Sequence, residues 1–210
     1  WELFVDAHPE AETFGTTDDG AVPWTLIPGL DADDPDEMAF QVEAFNGVFT
    51  EAPVSAGGGD VGDWLDRAVD FCNDRLWGTL SCTVLAHPKT LKDPAGKSAV
   101  ERALGRLRYG SIGLNTWGGT GYGLMSTTWG AFPGHPLNDI QSGRGVVHNT
   151  YLLEDVEKCV LRGPFRQPTK PLLFHTSRTT PQLGPLLCEW EATGGDLKLL
   201  PRMMVHLLRA

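Results

Sequence analysis

The chain reads as an α/β protein: a mostly parallel sheet with helices on both faces, followed by an extended and helical C-terminal arm. Three observations predict this. The run Thr79 to Ala86 lacks the apolar–polar alternation of a half-exposed strand, which suits a strand covered on both sides. A helical spacing of apolar residues between Ser98 and Arg108 separates it from a second strand, Ser111 to Asn115. Strand, helix and strand at these distances form a β-α-β unit with parallel strands and a right-handed crossover. From Pro164 the chain turns Pro-punctuated and extended before further helices, so residues 1–163 form the main domain and residues 164–210 an arm.

Ahead of the β-α-β unit the spacing predicts short strands between turn clusters. Glu2 to Val5 is a strand, Thr16 to Gly20 a turn, Pro23 to Pro28 a second strand, and Asp31 to Asp36 an acidic loop. Val48 to Val54 is another strand, and Gly57-Gly58-Gly59 a flexible connection. Asp60 then N-caps a helix, with Asp63 completing a capping box. Val61, Trp64, Leu65, Ala68, Val69 and Cys72 give that helix an inward face, and Trp77-Gly78 ends it. After the unit, Gly110 stands where a helix C-cap is wanted. A glycine-rich, aromatic region runs to Gly134, followed by a short helix around Pro136 to Gln141 and strands at Val147 to Leu153 and Val160 to Leu161. In the arm, Thr180-Pro181 opens a helix with Leu183, Leu186, Leu187 and Trp190 on one face, Gly194-Gly195 ends it, and Pro201 to Leu208 is a last helix.

Composition narrows the function classes. A length of 210 residues with 41% hydrophobic residues, seven Trp and nine Phe describes a folded core rather than a disordered chain. No apolar run approaches the roughly 18 residues of a membrane span, so no membrane association is expected. Of the 27 acids, 18 fall in residues 1–74, which hold a single base, Arg67. Such an acidic segment repels a phosphate backbone, and the positive remainder has no basic run interleaved with aromatics; no nucleic-acid partner is expected. Cys72, Cys82, Cys159 and Cys188 lie far apart with no C-x-x-C pair, a pattern of free thiols in a reducing cytoplasm rather than of zinc or disulfides. The six His show no H-x-x-x-H pair, and His8, His87 and His135 each precede Pro, so turns explain those three better than a metal site.

The ordered series between Glu43 and Asn115 carries most information about function. It reads VEAFNGV, then DFCNDRLWGTLSCTVLAHP, then VERALGRLRYGSIGLN. A carboxylate two residues before an aromatic is followed by Asn73-x-x-x-Trp77-Gly78, a strand, a helix and a Gly110-x-x-x-x-Asn115 strand. From roughly Pro23 to Leu161 this series resembles the C-terminal half of the catalytic domain of NAD(P)-dependent aldehyde dehydrogenases. The resemblance implies oxidation of a small-molecule aldehyde to a carboxylic acid with NAD or NADP. A cysteine thiolate adds to the aldehyde, hydride passes to the nicotinamide, and water hydrolyses the thioester. It also implies that the nucleophile, the general base and most of the dinucleotide site lie before Trp1, so that this piece is inactive alone. A homo-oligomer is implied too, with Glu157 to Leu161 as the strand that pairs across subunits.

Site residues follow from the same resemblance. Glu43 is expected on the cofactor ribose, because two carboxylate oxygens match two vicinal hydroxyl donors, and Phe45 against the nicotinamide ring. Read without the resemblance, Glu43 is a surface acid and Phe45 a core residue. The family continues Phe-Gly-Pro-Val where this chain has Phe45-Asn46-Gly47-Val48, which alters the loop. Asn115 is expected to support the substrate region, or simply to cap a strand end. Trp129 and Phe132 are expected to line the aldehyde channel, or to pack in a core. Gly118 to Gly123 is not G-x-G-x-x-G, no helix is expected to begin there, and it reads as a turn region rather than a phosphate cradle. No catalytic residue is expected within the chain. The rival reading is a non-catalytic α/β binding or scaffold domain derived from the dehydrogenase fold.

Overall fold

The computed structural model describes residues 1–166 and 177–209, which separate into two compact units, Trp1–Phe165 and Arg166–Ala210. The chain is a mixed α/β protein with a small parallel sheet and packed helices.

The first unit begins with helix α1 (Glu2–Ala7), where alternation predicted a strand. Its deciding residues are Phe4 and His8, one helical turn apart and both buried, so the burial period is that of a helix. Strand β1 (Glu12–Phe14) pairs antiparallel with β2 (Trp24–Ile27). After the short helix α2 (Met38–Gln41), strand β3 (Val48–Thr50) adds to β2 in parallel. The inner face of this sheet closes over Phe4, Ile27, Leu30 and Phe40. Its outer face carries Phe14 opposite Trp24, and Phe49 with its ring 6.0 Å from that of Trp24.

Helix α3 (Val61–Asp74) starts at the expected capping box: the Asp60 side chain accepts from the N–H groups of Gly62 and Asp63, and Asp63 accepts from Asp60 N–H. Strand β4 (Ser81–Val84), helices α4 (Pro88–Lys92) and α5 (Pro94–Arg106), and strand β5 (Ser111–Leu114) follow. Next come helix α6 (Thr120–Leu124), a two-stranded ribbon of β6 (Trp129–Gly130) and β7 (Val146–Val147), and strand β8 (Cys159–Arg162). Strands β4, β5 and β8 form a parallel sheet with β5 in the middle. Strand β8, which includes the segment expected to pair across subunits, pairs with β5 on one side and stands at the edge of this sheet.

Among the described strands only β5 is buried along its whole length. Ile112 and Leu114 face a cluster built with Leu65 and Val69 of α3 and Ala99, Val100, Ala103 and Leu104 of α5. On the other side, Ser111 Oγ donates to Gly118 O at 2.7 Å, and a Cβ on Gly113 would lie 2.1 Å from Thr116 O, so the glycine-rich segment covers that face. Strand β4 alternates between exposed and half-buried residues, which corrects the expectation of a strand covered on both sides. Cys82 and Val84 meet the helices, while Ser81 and Thr83 are exposed. Across α3 and α5, Asp66 pairs with Arg102 at 3.2 Å and Arg106 at 2.5 Å, Asp70 with Arg106, and Asp74 with Arg108. These pairs are solvent-exposed and each contributes little to stability.

Four further expectations change. Helix α5 ends at Arg106 with Leu107 as its C-cap, so Gly110 is not its cap; a Cβ there would sit 1.8 Å from Gly130 O, and the glycine is needed for that close approach. Helix α6 does begin within the glycine-rich segment, although it is only five residues long. No helix forms at Pro136 to Gln141, where Asp139 N–H to Pro136 O closes a single turn. Strand β7 stops after Val147 because His148 and Asn149 take φ of 63° and 48°, which no strand continues through.

In the second unit, α7 (Thr180–Ala192) and α8 (Leu200–Leu207) form as the spacing predicts, with Leu183 and Leu186 buried. Gly195 N–H returns to Trp190 O at 2.8 Å to end α7. Of the Pro-punctuated stretch after Pro164, residues 167–176 lie outside the described residues. Among the described residues no helix is long and apolar enough to cross a membrane.

Candidate functional site

Glu43 and Phe45 sit on the loop from α2 to β3. Gly47 anchors that loop: its carbonyl accepts from Thr25 N–H at 2.8 Å, and a Cβ would come within 3.0 Å of the Trp24 ring. The loop lies against β2 at Gly47, and Ala44, between Glu43 and Phe45, packs on the core of Phe4, Ile27, Leu30 and Phe40. Phe45 takes a φ of 48° and is 87% exposed, so it is not a core residue. Glu43 is exposed and makes no ion pair among the described residues. Neither side chain has a hydrogen-bond, ion-pair or ring partner among the described residues.

Asn115 ends β5 in the left-handed region at φ 56° and is buried. Its Oδ1 accepts from Ala86 N–H at 2.8 Å and its Nδ2 donates to Ala86 O at 3.1 Å, while its own N–H donates to Val84 O at 2.8 Å. The amide is engaged with the exit of β4. It orders the ends of two neighbouring strands and has a positioning role.

Trp129 stands in β6 with the Tyr122 ring edge-on at 5.7 Å, and Tyr122 in turn lies 5.5 Å from His148. Phe132 is half-buried; its N–H donates to Thr79 O at 3.1 Å, and the Lys158 ammonium lies 5.9 Å from its ring centroid. That ammonium donates to the carbonyls of Leu104, Gly105 and Leu107 at 3.1, 2.6 and 2.8 Å, satisfying the C-terminal end of α5. Burial holds the Lys158 pKa below the ordinary lysine value, against the opposing pull of Glu157.

Neither Trp129 nor Phe132 lines the cavity of about 410 Å³ beside the ribbon, whose wall includes Thr128, Ala131 and Pro133 with Val146, Leu153, Glu154 and Asp155. The structure places Glu43 and Phe45 on the first sheet's loop, and Asn115, Trp129 and Phe132 around the second sheet and the ribbon. Nothing in the sequence brings Thr128, Glu154 and Asp155 to one wall, since a Leu-Glu-Asp stretch in a loop reads as ordinary solvated surface.

Cys72 and Cys82 are free thiols whose pKa burial pushes up, Cys82 to about 12. A raised pKa disfavours the thiolate, the reactive form, at both positions. Cys159 Sγ donates to Ser111 Oγ at 3.5 Å, and Cys188 is exposed on α7. Among the described residues no group of three His, Cys, Asp or Glu is placed to hold a metal ion. Compared with protein-family models, curated proteins and solved structures, the chain finds no match.

Proposed function

We propose that this chain is the C-terminal part of the catalytic domain of an NAD(P)-dependent aldehyde dehydrogenase, which oxidises an aldehyde to a carboxylic acid in the full-length protein. The observation that carries the reading is the state of Phe45. A non-glycine residue in the left-handed region costs on the order of 1 kcal/mol. Leaving a phenyl ring in water forgoes about 2 kcal/mol of burial. A loop that bears both costs, beside an exposed and unpaired Glu43, presents these side chains to something outside the chain's own core.

A nicotinamide cofactor supplies the hydride acceptor when bound. The share of this chain is binding and orientation: Glu43 accepts hydrogen bonds from ribose hydroxyls, and Phe45 presses on one face of the nicotinamide ring. Asn115 keeps the ends of β4 and β5 in register beneath the substrate region. The nucleophilic cysteine and the general base belong to another part of the protein, in keeping with the suppressed ionisation of Cys72 and Cys82.

A second reading, a non-catalytic α/β binding or scaffold domain, is favoured by Asn46-Gly47 in place of the family's Gly-Pro. The deciding experiment identifies the native polypeptide that carries this segment, by immunoblot of source cells with peptide mass spectrometry upstream of Trp1. The expected result is a longer chain that reduces NAD(P)+ when given aldehyde, with Glu43→Ala raising the cofactor KM about tenfold. A native chain of this length that reduces no NAD(P)+ sinks the dehydrogenase reading and leaves the scaffold.

A further inference from the structure

The outer face of the first sheet combines aromatic rings with carboxylates. Ala11, Ile27, Val48 and Ala52 belong to the core around Phe4, Leu30 and Phe40, so they point inward. Alternation then turns Glu12 and Phe14 of β1, Trp24 and Leu26 of β2, and Phe49 and Glu51 outward. Glu51 directly follows β3, and its N–H still donates to Ile27 O at 2.8 Å. Register sets these side chains in rows: Phe14 opposite Trp24, and Glu12, Leu26 and Phe49 side by side across three strands. Phe14, Trp24 and Phe49 are 54%, 63% and 61% exposed, and the rings of Trp24 and Phe49 lie 6.0 Å apart.

The two carboxylates decide what this face can receive. Glu12 and Glu51 stand on opposite sides of β2, and neither makes an ion pair among the described residues. Residues 1–74 hold 18 acids and one base, Arg67, whose guanidinium lies on α3 against Gly57. A purely apolar cover would bury both carboxylates without a partner, which is strongly unfavourable. A phosphate backbone or an anionic lipid surface is repelled. What fits is a cation that also favours an aromatic surface. An arginine guanidinium meets both demands, since it is planar, stacks on Trp and Phe rings, and keeps N–H groups at its edge for a carboxylate. The row from Glu12 to Phe49 spans two strand spacings, about 10 Å. An extended segment, whose same-side residues repeat every ~7 Å, reaches a ring and a carboxylate together.

We propose that the outer face of β1, β2 and β3 docks a basic, arginine-bearing peptide segment of another protein. Its guanidinium groups stack on Trp24 and Phe49 and pair with Glu12 and Glu51. The surface uses neither Glu43 nor Phe45, so it does not depend on the dehydrogenase reading.

The test titrates the chain with three blocked hexapeptides in which valine alternates with arginine, lysine or glutamine, following binding by calorimetry and amide NMR shifts. The arginine peptide is expected to bind at least tenfold more tightly than the glutamine peptide and a few-fold more tightly than the lysine peptide. Its affinity should fall as salt is raised, and the shifts should centre on residues 12–14, 24–27 and 48–51. The double variant Glu12→Gln, Glu51→Gln changes exposed residues that the fold tolerates, and it should abolish the preference for arginine over glutamine. Trp24→Thr with Phe49→Thr keeps strand-forming residues and should remove the preference for arginine over lysine. Absence of saturable binding, shifts centred elsewhere, equal affinity for the arginine peptide and either other peptide, or an arginine preference that survives the glutamate variants overturns the proposal.

Discussion

Asn115 grips the peptide of Ala86 at both ends, its Oδ1 receiving the Ala86 N–H at 2.8 Å and its Nδ2 giving a hydrogen bond to the Ala86 carbonyl at 3.1 Å. The pair ties the exits of two adjacent parallel strands where the ladder has ended. Only a short side chain tolerant of φ 56° and bearing both a donor and an acceptor can do this, which is why Asn stands here.

Replacing Asn115 separates these contributions. Asn115→Gly keeps the backbone conformation and loses both hydrogen bonds; Asn115→Ala loses the bonds and adds strain. Urea unfolding should show a loss of about 2 kcal/mol or more for Gly and a larger one for Ala. Equal, sub-kilocalorie effects would remove the clamp from the account.

His8 makes stability depend on pH. Its Nδ1 lies 2.7 Å from Phe4 O and its Nε2 3.1 Å from Glu37 Oε1, an arrangement that favours the protonated imidazolium, which can donate to both. Burial lowers its pKa, but the Phe4 carbonyl, the Glu37 carboxylate and the more distant Glu10 outweigh that and raise it above 6.5. A raised folded pKa means the contribution is complete below the unfolded value near 6.5 and is lost as pH climbs through the folded value. The urea midpoint should fall over that window, and His8→Gln should flatten the fall. An unchanged slope in the variant would exclude His8 as its source.

Two glycines should respond in opposite directions. Gly105 lies within α5 with nothing near its missing Cβ, so Gly105→Ala should stabilise by about 0.5–1 kcal/mol. At Gly110 the added carbon meets the Gly130 carbonyl, backbone against backbone, and Gly110→Ala should cost several kilocalories or prevent folding. Thermal melts of the two variants check the contrast.

Thiol reactivity should rank by ionisation and access. Cys188, exposed, should react with a disulfide reagent at once, whereas half-buried Cys72 and Cys82, with raised pKa, should react far more slowly in the native protein than after unfolding. Equal rates for Cys188, Cys72 and Cys82 in the native protein would contradict that ranking.

The β-α-β unit and the capped helix α3 were legible in the sequence, because helix caps, the 3.6-residue period and short loops are local signals that tertiary contacts did not override. Trp129 and Phe132 were expected to line a channel, and neither lines the cavity beside the ribbon. Their neighbours Thr128 and Ala131 line it, since facing in a two-residue strand depends on how the ribbon packs. By itself the sequence determined the mixed α/β character, the capping of α3 and the strand–helix–strand order from Ser81 to Leu114. Tertiary structure alone decided that Glu2–Ala7 is helical, that β8 joins β5 of its own chain, that Gly110 serves a carbonyl contact rather than a cap, and that Thr128 shares a cavity with Glu154 and Asp155. Each of these rests on a contact between residues whose meeting no local pattern encodes: a short segment with one or two apolar anchors fits helix or strand equally well until a distant partner buries it.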